Sequence, residues 1–362
     1  MRRTTLFAAL VASIVLAAAC SGDGDDDTGG GDDATAAGET AGGDGTAAEE
    51  EPEEYPTEEL LIGFAAPNQV YSAVYVAIDQ GFFADEGFDA EVVLTQSSTG
   101  AVQQAAAGSV QFAGATPDAA IFGMEQGAPV TIVSSTIKGS PLSVVGGPDV
   151  TEWEDLRGQT IGVSALKGGE IALLRQLLSE HGLEEGDDYD VIVSGATPAK
   201  AAALNEGSVA AAVLFSPTDF ALEAQGFNIL GSTAELETAD QMPLIVYLVN
   251  DDWVGDDDRG ERLGRVLVRA NAWLQDPANR DEAVEIFAAA ADQAPEHVAA
   301  TYELWFDEFG IGTPDGQVTP EEIRTTLEMM AADGDVPEPL PDPGEFIDPS
   351  YIENAIQSGA AS

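Results

Sequence analysis

Lys167-Gly168-Gly169 and two hydroxyl-rich turns, Ser98-Thr99-Gly100 and Ala115-Thr116-Pro117-Asp118, are where side-chain type and spacing in this chain suit chemistry. Each stands where an apolar run gives way to an amphipathic one, so each should open a helix. A helix N-terminus presents unbonded backbone N–H groups that hold an anion or a carbonyl. Hydroxyls and a carboxylate at that place are first of all N-cap candidates, and the two uses are compatible. Lys167 would add a positive charge, although Glu170 in the turn behind it competes with any anion for the same field. Lys138 and Lys200 are the only other lysines, and in so acidic a chain each lysine also suits pairing with a neighbouring carboxylate. Nucleophilic or metal chemistry finds no support. The one cysteine is Cys20, and His181 and His297 fall in no triad or metal-ligand spacing. Binding without turnover, with no cofactor and no metal, is what these residues suit.

From Leu60 onward short apolar runs alternate with amphipathic stretches, the pattern of an α/β fold. Strands are expected at 60–65, 90–95, 110–113 and 130–134, with helices near 70–80, 100–107 and 117–126 between them. A second series follows, with strands at 160–164, 189–194, 210–215 and 228–230 and helices near 169–181, 198–205 and 218–224. Two further apolar strands, 142–145 and 244–249, bracket the second series and read as crossings between two lobes. After Asn250 the pattern turns helical, and this part should pack on the first lobe. The expected division is therefore 60–145 for the first lobe, 146–241 for the second, and 242–362 for the return to the first lobe with its helices. Two sheets facing each other make a hinged clamshell, with the ligand at the carboxyl ends of the strands. Loops facing that cleft would bring Asn68, Tyr71, Ser97, Ser98, Thr99, Thr116 and Asp118 from one side. From the other would come Ser164, Lys167, Gly168, Gly169, Ser194, Thr197 and Ser216. A sulfonate-type anion would be held by Lys167 and the helix N-termini; a neutral or zwitterionic heterocycle or amide would instead use Tyr71 for stacking and Asn68 for hydrogen bonds. No arginine falls in these loops to grip an oxyanion in bidentate fashion, which favours the second case.

One segment is more specific than the rest: Tyr75-Val76-Ala77-Ile78-Asp79-Gln80-Gly81-Phe82-Phe83-Ala84-Asp85-Glu86-Gly87-Phe88-Asp89. Gly81 and Gly87 suit the left-handed residues that end helices, and Phe82-Phe83 suits a staple onto the core. The string closely resembles the helix-to-strand joint of importer solute-binding proteins related to the nitrate, sulfonate and taurine binders and the thiamine-pyrimidine (NMT1/THI5-like) proteins. Ala107-Gly108-Ser109-Val110-Gln111-Phe112-Ala113, Asp155-Leu156-Arg157-Gly158-Gln159-Thr160-Ile161-Gly162-Val163 and, more loosely, Leu204-Asn205-Glu206-Gly207-Ser208-Val209-Ala210-Ala211 resemble other joints of the same proteins. The likeness spans roughly Leu60 to Val249. It implies a two-lobe, type II periplasmic-binding fold that closes on a small-molecule solute and docks, as a monomer, on an ABC permease with its ATPase. The family's yeast-type pyrimidine synthases use a cysteine-rich motif that this chain lacks, so the resemblance carries no catalysis. A ligand-sensing receptor subunit is the alternative role, and an enzyme on the same fold is another.

The N-terminal part places this binder. Arg2 and Arg3, an apolar run from Leu6 to Leu16, and Ala17-Ala18-Ala19 before Cys20 resemble a bacterial lipoprotein signal, with residues 1–19 removed and Cys20 lipidated. The apolar run is too short for a stable bilayer span. Residues 20–59 hold almost no large apolar side chain and read as a disordered acidic tether. Asp23-Gly24-Asp25-Asp26-Asp27 lacks the spacing and the closing Glu of a calcium loop. The expected location is the outer face of the cell membrane. Formal net charge is -52, and the chain beyond Glu59 still carries fifty Asp and Glu against eleven Lys and Arg. Nucleic acid is repelled by such a field. A surface adapted to concentrated salt is expected, since screening removes self-repulsion.

Overall fold

The computed structural model describes residues 55–236, 241–255 and 257–360. The stretch read as a signal, Cys20 and the stretch read as a tether up to residue 54 lie outside these described residues. The chain enters with β1 (Glu58–Phe64), α1 (Ser72–Asp79), α2 (Phe82–Asp85), β2 (Phe88–Leu94), α3 (Ser98–Ala106), β3 (Phe112–Ala115), α4 (Pro117–Glu125) and β4 (Val130–Lys138). It continues through β5 (Leu142–Gly146), β6 (Gln159–Val163), α5 (Gly169–Glu180), β7 (Tyr189–Val193), α6 (Thr197–Asn205), β8 (Ala211–Phe215), α7 (Thr218–Glu223) and β9 (Asn228–Ser232). It then returns through β10 (Pro243–Asn250), α8 (Asp251–Val254), α9 (Arg259–Gln275), α10 (Arg280–Ala291), α11 (Pro295–Tyr302), α12 (Pro320–Ala332) and α13 (Ser350–Gln357).

Two five-stranded sheets result, ordered β2-β1-β3-β10-β4 and β7-β6-β8-β5-β9. In each, three strands run parallel, and one strand from the other end of the series, β10 or β5, inserts antiparallel beside them. Strand β1 shows why its run is nearly all apolar. Leu60, Ile62 and Phe64 face a core shared with α1, α9, α10 and α11, while Leu61 packs on the opposite core under α3, α4 and α12. A strand covered on both faces has no polar side to alternate with. The α/β two-lobe fold is thus present, and the helical C-terminal part packs on the first lobe as expected.

Two boundaries differ from the sequence reading. Residues 142–145 were expected to close the first lobe as a crossing, yet β5 pairs with β8 and β9 and lies inside the second sheet. Residues 244–249, read as a crossing at the start of the return segment, form an inner strand of the first sheet, bonded to β3 and β4. An apolar run reports that a strand is buried, not which sheet buries it. The other change concerns the end of the tether. Its last residues are ordered, because Glu58 already belongs to β1 and its carboxylate meets Arg259 at 2.8 Å and Arg262 at 2.5 Å.

The family-like joint is clamped by one face of α9. Arg262 lies over the Phe88 ring at 4.4 Å and Arg269 over Phe82 at 4.4 Å, while Arg265 holds both oxygens of Glu86 at 3.0 and 3.1 Å. Gly81 and Gly87 take φ of +75° and +76°, the left-handed conformation their positions called for. Scarce basic residues are therefore spent inside the first lobe rather than displayed.

Candidate functional site

A cavity of about 610 Å³ opens between the two sheets, lined from the first lobe, the second lobe, the hinge segments and the C-terminal helices. That volume suits a small organic molecule. Among the sequence-derived candidates, Asn68, Tyr71, Ser98, Thr99, Thr116, Asp118, Lys167, Gly168 and Gly169 all reach its wall. They do so because each follows a strand at its carboxyl end, where the loops of both sheets converge. Ser97, Ser164 and Thr197 line it too.

Ser216 does not. Its side chain is fully buried and donates its hydroxyl to Asp219 Oδ2 at 2.7 Å; Ser143 donates to the same oxygen at 2.5 Å and the Phe220 N–H to Oδ1 at 2.8 Å. Burial pushes the Asp219 carboxyl up, and these donors oppose the shift. The expectation that Ser216 faces the cleft is corrected: its neighbours Phe215, Pro217 and Thr218 do that instead.

The helix starts divide their duties in an unforeseen way. Ser97, not Ser98, caps α3, its Oγ accepting the Gly100 N–H at 2.9 Å. Ser98 Oγ accepts the Thr116 N–H at 3.2 Å and so ties two cleft loops together. Thr116 occupies the N-cap position of α4 but makes no side-chain cap bond. Asn68 Oδ1 accepts the Val70 N–H at 3.1 Å. Tyr71 is 2% exposed and stacked on Phe64, ring centroids 3.9 Å apart and 5° from parallel. Burial raises its phenol well above the ordinary value. Tyr71 is accordingly a floor of the cavity, with most of its ring committed to the core rather than free to stack on a solute.

The lysines are all engaged. Lys138 meets Glu322 at 3.0 Å. Lys200, fully buried, meets Glu170 Oε2 at 2.7 Å, and burial pulls its ammonium below the usual lysine range while Glu170 pushes it back. Glu170 also accepts the Ser164 N–H at 2.6 Å and the Ser164 hydroxyl at 2.8 Å. Lys167 reaches across the cleft to Asp335 Oδ1 at 2.6 Å and the Asp333 carbonyl at 3.0 Å, and the Gly168 N–H donates to Asp333 Oδ2 at 3.2 Å. Nothing local in the sequence announces that last partnership, which joins residues some 165 positions apart.

Sequence reasoning also missed Gln96, Met242, Gln293 and Met329 on the wall. Gln96 has φ of +68°, an uncommon conformation for a residue with a Cβ. Met242 and Met329 meet over Gly169, where a Cβ would stand 3.6 to 3.9 Å from their methyl carbons. Flexible thioethers at a hinge adapt to small changes in lobe angle. No signal but the absence of charge marked these two positions.

Comparison with known proteins agrees with this architecture. The family model described as NMT1/THI5 like matches residues 68–279, more than half of the chain. The riboflavin-binding protein RibY of Chloroflexus aurantiacus is 27% identical over 295 residues, covering 75% of this chain and 81% of that protein. Among solved structures, the periplasmic nitrate-binding protein NrtA from Synechocystis PCC 6803 superposes with a TM-score of 0.67 at 15% identity, over 83% of this chain and 89% of the other. The desulfurization enzyme DSZB superposes with a TM-score of 0.62 at 18% identity, over 83% and 99%. At such identities these two establish the fold alone, a periplasmic-binding fold of two lobes around a cleft. With its matched domain spanning both lobes, the chain belongs to the NMT1/THI5-like family.

Proposed function

We propose that this protein is the extracytoplasmic, lipid-anchored solute-binding component of an ABC importer. It catches one small organic solute between its lobes and presents the closed form to a permease. The observation that carries this reading is the 610 Å³ cavity lined jointly by both lobes and both hinge segments, since only a molecule in that position can bias lobe closure. A relative named for riboflavin binding supports a heterocyclic solute. The apolar share of the wall, with Leu173, Phe215, Met242 and Met329, agrees with it.

A thermal-shift screen of flavins, pyrimidines, small amides, sulfonates and nitrate tests the binding role. A solute at a hundred times its dissociation constant adds about 2.7 kcal/mol to stability, and the hit should be recovered chemically unchanged. Steady conversion to a product would move the protein among the enzymes. Anchoring rests on Ala17-Ala18-Ala19-Cys20 and has a separate test. After Cys20→Ser the protein should leave the membrane pellet for the soluble fraction. Equal partition of variant and parent would exclude a lipid on that residue.

A further inference from the structure

We infer that the cleft favours solutes bringing a positively charged, hydrogen-bond-donating group and turns away small oxyanions, because the chain's own aspartates already stand at the α5 N-terminus. The inference rests on the solute-binding reading above and adds the charge class to it.

The turn before α5 is the one place in the cavity wall with both a lysine and a helix N-terminus of ordinary length, and the protein fills it from within. Gly168 N–H is taken by Asp333 Oδ2 at 3.2 Å. The Lys167 ammonium is taken by Asp335 at 2.6 Å. Ser164 N–H at the end of β6 is taken by Glu170 at 2.6 Å, and the charge of Glu170 is answered by Lys200 at 2.7 Å. A sulfonate or carboxylate arriving here would displace Asp333 from its donor and then sit among carboxylates. On the facing lobe Asp118 lines the cavity, its Oδ2 2.9 Å from where a Cβ of Gly168 would stand. Among the described residues no lysine or arginine pairs with it. Around this end of the cleft Glu170 is answered by Lys200, Asp335 by Lys167, and Asp333 feels both Lys167 and the Arg175 guanidinium that pairs with Glu185, which leaves Asp118, among the described residues, as the carboxylate without a cationic partner. The unanswered charge is negative. An ammonium or amidinium at Asp118, with its body against Leu173, Phe215 and Met242, matches both the charge and the apolar wall.

The test uses triads that share one ring and differ only in charge: benzamidine, benzamide and benzenesulfonate, then the same three groups on whichever ring the screen above returns. Affinities are measured by calorimetry at 0.15 M salt, where the Debye length of about 8 Å screens the diffuse attraction of a net -52 chain for every cation. Within a triad the cation should bind tightest and the sulfonate weakest. Asp118→Asn should cut the cation's affinity by roughly ten- to a hundredfold, far more than it changes the amide's, whereas a diffuse attraction would survive that change. The paired variant Asp333→Ala, Asp335→Ala should raise the sulfonate's affinity by removing the carboxylates that hold Lys167 and the Gly168 N–H. A wild-type protein that binds the sulfonate best, or a cation preference untouched by Asp118→Asn, overturns the inference and leaves solute binding standing. A screen and triads without a single hit would instead remove the solute-binding reading, and this one with it.

Discussion

Lys200→Ala should destabilise the second lobe by about 3–5 kcal/mol, the cost of removing one partner from a buried ion pair. Lys200 is fully buried and Glu170 Oε2 lies 2.7 Å from its ammonium, so the alanine variant leaves a carboxylate answered only by Ser164 and opens a void beside it. Replacing both members should cost much less. Lys200→Met with Glu170→Gln keeps the volume and removes both charges, and such swaps are often close to neutral. Urea unfolding followed by Trp153 fluorescence reads the right lobe, because that indole stacks on His181 with ring centroids 4.4 Å apart while the other three tryptophans belong to the helical C-terminal part. A loss under about 0.5 kcal/mol, the range of an ordinary surface change, would mean that the pair carries no weight. Glu170 lies on the cavity wall, so the single variant should also disturb solute binding.

Gly264→Ala is the second large effect, and here two magnitudes compete. Within a helix alanine is favoured over glycine by about 0.8–1 kcal/mol, which alone would make the change stabilising. Against it, a Cβ on Gly264 would fall on the main-chain carbonyl of Tyr351, and one on Gly260 would fall on the Tyr351 ring. Backbone cannot swing aside as a side chain does, so α13 must lift from α9. Overpacking of this kind costs about 1–3 kcal/mol, and contact with backbone argues for the upper end. Net loss of stability, with faster amide hydrogen exchange over residues 350–357, is the expected outcome. A variant more stable than its parent would show that α13 does not seat on Gly260 and Gly264.

How much of this was legible depended on whether the information was local. Strands and helices were, because buried parallel strands are apolar throughout and the helices between them are not. The cleft loops were, since the carboxyl end of a strand follows from the strand itself; of the fourteen residues placed in those loops, twelve line the cavity and Ser194 and Ser216 do not. Ser216 failed because the side of a loop residue that faces the cleft is set by packing, and its Ser-x-x-Asp spacing to Asp219 was the only hint of an inward turn. The Lys167 partnership failed for a different reason. In a chain with so many carboxylates, nothing distinguishes Asp333 and Asp335 from the rest until the fold brings them to the cleft. Gly260 and Gly264 lie one helical turn apart, a spacing that suits close helix approach, yet α13 as the partner was not readable from either segment alone.

The strand order also sets a timetable. In the first sheet β10 lies between β3 and β4, though it is made last. At synthesis rates of about 5–20 residues per second, the hundred or so residues between Lys138 and Pro243 take on the order of 5–20 s to appear. Throughout that interval the facing edges of β3 and β4 are bare, a slot one strand wide. The second sheet is spared such a wait on distant chain, since all its strands lie between Leu142 and Ser232 and it is complete before β10 exists. The nested lobe is therefore the first that can close, and the lobe that begins the chain is the last. Until then its unpaired edges are open to strands of other chains.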